Sequence, residues 1–338
     1  MIYKDTSNLR IIAEIGVNHN GSLKNAKKLI DHASNAKADY VKFQSYVTND
    51  LVHHKAALAQ YQKKTGNKNQ FNLLKRFELD FDQQKELLKY SQKKKIKFLS
   101  SPFDIKSCQN LKKLGLSTVK IASGEITNYP LLEKISQYFN EIFLSTGMAS
   151  LNEIKEAIKI LKKNKKKKLT IMHCTSMYPT NLNKVNLLFF EKLKLLGHDL
   201  GFSDHTIGNI AGQVSLAYGV SLIEKHITLS KRLKGPDHIS SMEPNEFKSY
   251  VDTLRQAKLI FGNEKFVRTN EELRNKKVIR KSIFASRNIN KNEKLSIDNI
   301  CTKRPEVFLP ANNWYKILGK KAKRKIKKDE PILRNLIS

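Results

Sequence analysis

Short apolar runs rich in β-branched and aromatic residues alternate with longer amphipathic stretches from the start of the chain to about residue 262. The runs at 11–16, 40–44, 97–101, 118–121, 141–145, 169–174, 200–203 and 222–226 predict eight strands. Helical spacing fills the intervals: 22–36 places Leu23, Ala26, Ile30 and Ala33 on one face, and 151–162 does the same with Ile154, Ala157, Ile158 and Leu161. Strands that alternate with helices pair in parallel through crossovers. Eight such units in about 250 residues predict an α/β fold of the closed (β/α)8, or TIM, barrel type rather than an open doubly wound sheet.

The rhythm breaks twice. Residues 47–79 are a long insertion after the second strand, with polar material such as TGNKNQ. Loops of that length commonly act as lids over a site. After Gly262 the charged stretch NEKFVRTNEELRNKK reads as a linker or short helix, and beyond it the pieces SIFASRNI and KLSIDNI alternate between turn residues. The expected organisation is a barrel over 1–262, a linker over 263–277 and a small, mostly β domain over 278–338. A domain of about 60 residues is marginal alone, so it is expected to pack against a barrel, its own or a partner's.

A hydrophobic share of 40% with 14 Gly and 8 Pro excludes a disordered or fibrous chain. Cys108, Cys174 and Cys301 form no CxxC pair, which argues against a disulfide framework or a zinc ribbon and suits a reducing compartment. No run approaches the ~20 apolar residues of a membrane span, and MIYKDTSNLR lacks the apolar centre of a secretion signal. A soluble, cytoplasmic protein without a membrane partner is expected. The net charge of +32 raises nucleic acid as a partner. Only 11 of the 63 basic residues are Arg, however, and the lysines fall in runs such as 93–95, 165–168 and 320–328. Nucleic-acid readers set Arg and stacking aromatics beside the basic patch. Here the aromatics lie in apolar stretches, so the runs are read as solvated lysine faces and nucleic acid is not an expected partner.

In a (β/α)8 barrel the site lies at the C-terminal ends of the strands. Those ends carry Glu14 and Asn18, Lys42 and Gln44, Ser101, Lys120 and Ser123, and Ser145. The later strands end in the stretch 173–178, in Ser203, Asp204 and His205, and in Glu224, Lys225 and His226. A barrel end that serves stability alone has no use for this set. Lysines supply point charge and serine hydroxyls donate hydrogen bonds, which together make a cradle for phosphate or an oxyanion.

The strand ends are also sequence motifs. AEIGVNHNG (13–21), VKFQ (41–44), SSPFD (100–104), KIASGEITNYPLL (120–132), LSTGMAS (144–150), HCTSMYPT (173–180), FSDHT (202–206), IEKHIT (223–228) and GPDH (235–238) resemble, in this order, the sialic acid synthase family. RKSIFASRNI followed by CTKRP resembles the antifreeze-like (SAF) domain that closes those proteins. The resemblance implies a transferase that makes nine-carbon 2-keto acids from phosphoenolpyruvate. It implies that Lys42, Ser101, Lys120, Ser123, Ser145 and Ser203 line the phosphoenolpyruvate pocket and that Glu14 is the catalytic acid/base. It also implies that His205 and His226 bind a metal, and that Gln44, Tyr178 and Asp237 touch the sugar. Arg304 would reach that sugar from the small domain of the neighbouring subunit in a homodimer. Two histidines are too few for a closed zinc site, and an open site completed by water and substrate suits Mn2+ or Mg2+. His19 is expected to shape the NHNG turn.

The chain departs from the family pattern in three places. Ser176 stands where Asn is frequent, Lys303-Arg304-Pro305 runs on into Glu306-Val307-Phe308-Leu309 in place of Gly-Asn-Gly-Ile, and Asn292 occupies a glycine turn position. The implied chemistry is attack by C3 of phosphoenolpyruvate on the open-chain aldehyde of an N-acyl amino hexose, addition of water at C2 and loss of phosphate. N-acetylmannosamine, giving N-acetylneuraminate, is the first acceptor considered. The alternative is a 2,4-diacetamido-2,4,6-trideoxy-mannose, giving N,N'-diacetyllegionaminate, because Gly124-Glu125-Ile126-Thr127-Asn128 resembles both synthases and differs from the Ser-Phe-Glu form of pseudaminate synthases. A nucleic-acid-binding barrel without catalysis is the rival from another class.

Overall fold

Eight parallel strands form a single sheet: β1 (Arg10–Gly16), β2 (Tyr40–Ser45), β3 (Lys97–Pro102), β4 (Thr118–Ile121), β5 (Glu141–Ser145), β6 (Lys168–Cys174), β7 (Asp199–Asp204) and β8 (Val220–His226). Their hydrogen-bonded order is β3-β2-β1-β8-β7-β6-β5-β4, and β3 lies beside β4, so the sheet curls into a near-closed TIM-like barrel. Each expected strand is present and extends at most two residues beyond its expected ends. The computed structural model describes residues 9–58, 69–163, 167–262 and 267–338, and the chain divides into two units, Met1–Gly262 and Asn263–Ser338.

The two-residue alternation of each strand decides what faces the barrel interior. Ile11, Ala13 and Ile15 of β1, Val41 and Phe43 of β2 and Ile142 and Leu144 of β5 point outward and pack with the surrounding helices in the main core. The interleaved residues point inward, where Ile12, Tyr40, Leu99, Phe143, Met172 and Leu222 form a separate apolar floor. One step further along the same inward rows come Glu14, Lys42, Ser101, Ser145, Cys174 and Glu224. A polar layer thus rests on an apolar one. The helices are anchored by their caps: Ser22 accepts from Asn25 N ahead of Leu23–Asn35, and Ser150 with Glu153 forms a capping box ahead of Leu151–Leu161.

The insertion after β2 contributes two short helices, Thr48–Leu51 and Gln70–Lys75. It is tied to the barrel by Tyr46 Oη donating to Leu74 O at 3.0 Å and by Val47 N donating to Asp104 Oδ2 at 2.8 Å. Val17 of the β1 loop packs with Leu73, Phe77 and Leu58 in a small apolar cluster. Most of TGNKNQ falls on 59–68, outside the described residues.

In the second unit, β9 (Ser282–Ala285) and β10 (Ile300–Lys303) pair antiparallel over a core that includes Ile283, Ile289, Ile300, Ile326 and Ile332. Two features depart from the expectation. The stretch read as a linker or short helix contains the helix Asn270–Ile279, capped by Thr269 and Glu272, with none of its residues buried, and that helix runs on through Val278 and Ile279, which were expected in the small β domain. KLSIDNI, despite its alternation, turns ahead of β10, because Asn299 Oδ1 accepts from Ser296 N at 2.8 Å and Ser296 Oγ accepts from Asp298 N at 3.2 Å. Such local side-chain bonds compete with a ladder. Asn292 takes the left-handed conformation, φ +68°, that its turn requires. Lys93, Lys95 and the lysines of 320–328 are exposed. Among the described residues no helix is long and apolar enough to cross a membrane.

Candidate active site

Four charged side chains converge above the apolar floor. Lys42 Nζ lies 2.9 Å from Glu14 Oε2 and 3.7 Å from Glu224 Oε2, and Lys120 Nζ lies 2.5 Å from Glu224 Oε1. All four are buried. Two cations face two carboxylates, so the layer is neutral as a set, which is the condition under which ions survive out of water. The four groups are not equally comfortable. Burial pushes the Glu14 carboxyl up to about 7, with Glu224 adding to the rise and Lys42 opposing it. Glu224 is also desolvated, but Lys120 and Lys42 together hold it well below the usual carboxylate range. Burial works against the charge on Lys42, yet Glu14 and Glu224 keep its pKa raised.

Hydroxyls surround the lysines. Lys42 Nζ donates to Ser101 Oγ at 3.4 Å, Lys120 Nζ donates to Ser203 Oγ at 3.2 Å, and Ser145 Oγ lies 3.5 Å from Ser203 Oγ. Gly147 follows β5, and a side chain there would collide with the hydroxyls of Ser176 and Ser123 and come within 3.2 Å of Cys174 Sγ. Its missing Cβ is what lets those groups converge. Together they line a cavity of about 470 Å3 that opens at the strand ends.

The other side of the cavity carries the remaining candidates. A Cβ at Gly16 would lie 3.2 Å from Glu14 Oε1 and 3.6 Å from both Gln44 Nε2 and Asp237 Oδ2, so these three side chains meet around one point. The His205 and His226 rings are 5.4 Å apart, and the Tyr178 ring lies tilted 4.2 Å from the His205 ring and edge-on 5.9 Å from the His226 ring. His205 Nδ1 is 2.9 Å from Thr175 O, which can only accept, so Nδ1 carries the proton and Nε2 keeps its lone pair in the neutral ring. His226 Nδ1 is buried without a hydrogen-bond partner, 4.0 Å from Asp237 Oδ2. Burial and the neighbouring His205 keep the His226 pKa well below its usual value. Burial raises the Asp237 carboxyl to about 6. Among the described residues no group of three or more His, Cys, Asp or Glu is gathered to hold a metal unaided.

Behind the wall, the alternate residues of β7 and β8 brace the two histidines. Lys225 Nζ pairs with Asp204 Oδ2 at 3.0 Å and donates to Thr206 O at 2.5 Å, and Tyr250 Oη donates to Asp204 Oδ2 at 2.8 Å. Asp204 and Lys225, adjacent in sequence to His205 and His226, are therefore structural. His19 Nδ1 accepts from Gly21 N at 3.0 Å within the NHNG turn.

The structure brings Glu14, Lys42, Gln44, Ser101, Lys120, Ser123, Ser145, Tyr178, His205, His226 and Asp237 to one cavity, with Ser203 bonded to Lys120 and Ser145 beside it. Arg304 lies in the second unit, exposed just after β10. Two residues that carry weight here were not assigned from the sequence. Glu224 bridges both lysines; its spacing of two from His226 on one strand puts both on the inner face, and that was the available signal. Cys174 Sγ lies 3.8 Å from His205 Nδ1; burial opposes its ionisation, but His205, Lys120 and Ser123 bring the thiol down to about 7.

A TIM-like barrel whose mouth sets paired lysines, carboxylates and hydroxyls beside two imidazoles has the make-up of an enzyme active site. The chain belongs to the NeuB family, which matches residues 29–266, with an SAF domain matching 280–337. It is 44% identical over 327 residues to the N,N'-diacetyllegionaminic acid synthase of Campylobacter jejuni, covering 95% of this chain and 98% of that one. To the synthase of the same name from Legionella pneumophila it is 35% identical over 316 residues, 91% of this chain and 89% of that one. The crystal structure of N-acetylneuraminic acid (sialic acid) synthetase from Leptospira borgpetersenii superimposes with a TM-score of 0.72 at 35% identity, over 80% of this chain and 90% of that chain. The protein is thus a synthase-type enzyme of the sialic, or nonulosonic, acid family.

The raised carboxyl of Glu14 makes stability depend on pH in a fixed direction. Folding raises this pKa from 4.5 to about 7, so the stability carried by the proton is full below about 4.5 and is lost as pH rises through 7. Glu14→Gln has no proton to lose. The melting temperature of the variant relative to the parent should therefore climb between pH 4.5 and 8, by up to about 3 kcal/mol in stability, as read by thermal unfolding across that range. A flat difference would mean that Glu14 does not titrate in this window.

Proposed function

We propose that the protein joins phosphoenolpyruvate to the open-chain form of an N-acyl amino sugar, giving a nine-carbon 2-keto acid and phosphate. The observation that carries this reading is the pair of buried lysines, each set against a carboxylate and ringed by serine hydroxyls. Lys42, Lys120, Ser101, Ser123, Ser145 and Ser203 would hold the carboxylate and phosphate of phosphoenolpyruvate. In the reaction C3 bonds to the aldehyde carbon, water adds at C2, and phosphate departs from the tetrahedral centre. The new alkoxide gains a proton and the water loses one. Glu14, poised near neutrality, is the group suited to both transfers. Gln44, Tyr178 and Asp237 would hold the sugar's hydroxyl and amide groups.

His205 and His226 are the residues that would hold a divalent cation, Mn2+ or Mg2+. Support comes from the unpartnered Nδ1 of His226 and from the Nδ1–H of His205 held on Thr175 O, which leaves two lone pairs for an open site. Such an ion supplies Lewis acidity toward a carbonyl oxygen when bound. Arg304 would act across a homodimer, reaching the partner's cavity. In support, the described lining residues include no Arg, while Arg304 is exposed in the second unit. Both acceptors remain within this reading, N-acetylmannosamine and the 2,4-diacetamido-2,4,6-trideoxy sugar, and the names of the similar synthases span both products.

Three outcomes test the reading. Phosphate release should require phosphoenolpyruvate and an acceptor together, and Glu14→Gln should lower kcat by ~100-fold or more with phosphoenolpyruvate binding retained; near-normal kcat would remove Glu14 from the chemistry. Chelation should abolish turnover, with recovery on adding Mn2+ or Mg2+, and His226→Ala should lose activity while keeping its melting profile; full activity in excess EDTA would exclude a metal. Arg304→Ala and Glu14→Gln subunits, each nearly inactive alone, should regain part of the activity when mixed, since a mixed dimer holds one intact site. No recovery despite subunit exchange seen by native mass spectrometry would place Arg304 outside the partner's site.

A further inference from the structure

The NHNG turn after β1 and the GPDH segment after β8 are remote in sequence and bonded to each other in the fold. The loop that carries GPDH leaves and rejoins the barrel at one place: Met242 N donates to His226 O and Thr228 N donates to Met242 O, each at 2.9 Å. Buried side chains then fasten it to the turn. Asn18 Nδ2 donates to Ile227 O at 2.9 Å and to Ser241 Oγ at 2.8 Å, and Ser241 Oγ donates to Asp237 O at 2.6 Å. A hydroxyl has one proton to give, so the donors run in one direction, from Asn18 through Ser241 to the backbone of Asp237. On the other side His238 Nδ1 lies 2.7 Å from Thr228 Oγ1, and His238 Nε2 lies 3.3 Å from Asn20 Oδ1. Burial pushes the His238 pKa down to about 4, so the ring is neutral and offers the Asn20 oxygen an N–H and the Thr228 hydroxyl a lone pair. A Cβ at Gly235 would lie 2.6 Å from His238 Cδ2 and 3.2 Å from Asn20 Oδ1, so a side chain there would push the two apart.

We propose that Asn18, Ser241 and His238 are positioning residues that form a latch holding Asp237 at the cavity, and that the latch governs binding of the acceptor sugar without governing that of phosphoenolpyruvate. The proposal rests on the reading that Asp237 touches an acceptor there. Asp237 lines the cavity, whereas Asn18, Ser241 and His238 lie behind it. The carboxylate of Asp237 meets Glu14 and Gln44 around Gly16, yet its backbone belongs to no strand and only precedes the single turn His238–Ser240. Its placement therefore depends on side chains that tie the loop down. Lys42, Ser101, Lys120, Ser145 and Ser203 ride on strands, whose ladders hold them without the latch.

Kinetics with whichever of N-acetylmannosamine and the 2,4-diacetamido-2,4,6-trideoxy sugar the parent protein turns over should separate the two substrates. Ser241→Ala, which removes one link with little change in volume, and His238→Ala should each lower kcat/KM for the acceptor by ~10- to 100-fold, the cost of a displacement of about 1 Å, with the KM for phosphoenolpyruvate unchanged. In an Asp237→Ala background the same substitutions should add nothing further, because the latch acts through that carboxylate. Losses shared equally by both substrates, or losses that add in full to that of Asp237→Ala, overturn the proposal. Should His238→Ala fail to fold, Ser241→Ala carries the test. Hydrogen exchange read by mass spectrometry gives a check free of turnover: in Ser241→Ala the amides of 235–241 and of 18–21 should both exchange faster while β8 keeps its protection, and unchanged exchange in either segment overturns the latch. If the parent releases no phosphate with either sugar, the condensation reading fails, and the exchange result alone decides whether the latch exists.

Discussion

Ion pairing among Glu14, Lys42, Glu224 and Lys120 is the constraint on which the active end of the barrel depends. Each ion loses several kcal/mol of hydration when it leaves water, and only mutual pairing makes the set tolerable. The apolar floor of Ile12, Tyr40, Leu99, Phe143, Met172 and Leu222 keeps water away from below, which strengthens each attraction within the layer. The pairing is uneven, and the unevenness is useful. Glu224 is shared between two lysines and stays ionised, whereas Glu14 pairs directly with Lys42, is opposed by burial and by Glu224, and gives up its charge more readily. An anionic substrate drawn to Lys42 would weaken that pairing and raise the Glu14 pKa further, so substrate binding and the charging of the acid would be linked.

A second layer of order sits outside the barrel. Asp204 and Lys225 alternate with the residues that face the cavity, and their pair with Tyr250 fixes the ends of β7 and β8 from behind. Gly212 lies so close to the Tyr250 ring that a side chain there would displace it. The imidazoles are thus carried on rigid strand ends, braced by ions that never meet the cavity. That is the arrangement expected where two rings must hold their separation without touching each other.

Much of this was legible in the chain, for a definite reason. Eight apolar runs separated by helical spacing leave few folds open, and within a barrel the alternation of each strand assigns inward and outward faces, so Lys42, Lys120 and the serines could be placed from sequence and motif. Glu224 could be placed on the inner face by its spacing from His226, but not given its role, because it is shared by lysines on β2 and β4 and a pairing across the barrel leaves no local trace. Cys174 was read only as one of three cysteines without a CxxC partner and gains meaning beside His205. In the second unit, alternation in KLSIDNI suggested a strand, but Asn299 and Ser296 hold the backbone in a turn with their own side chains. The stretch read as a linker or short helix carries a Thr269–Glu272 capping box, the local signal that favours the helix.

The insertion after β2 lines the cavity with Leu51, Val52, Leu73, Leu74 and Phe77, while the strand ends line it with charged and hydroxyl groups. The charged layer is built from strand ends that are hydrogen-bonded to neighbours on both sides or packed against them, so altering one member disturbs the rest. The described part of the insertion after β2 is tied to the barrel by contacts outside that layer, among them those of Tyr46, Val17 and Asp104. The side chains it sets at the cavity could therefore differ while the charged layer stays as it is. New products would then arise by remodelling a roof over an unchanged hearth.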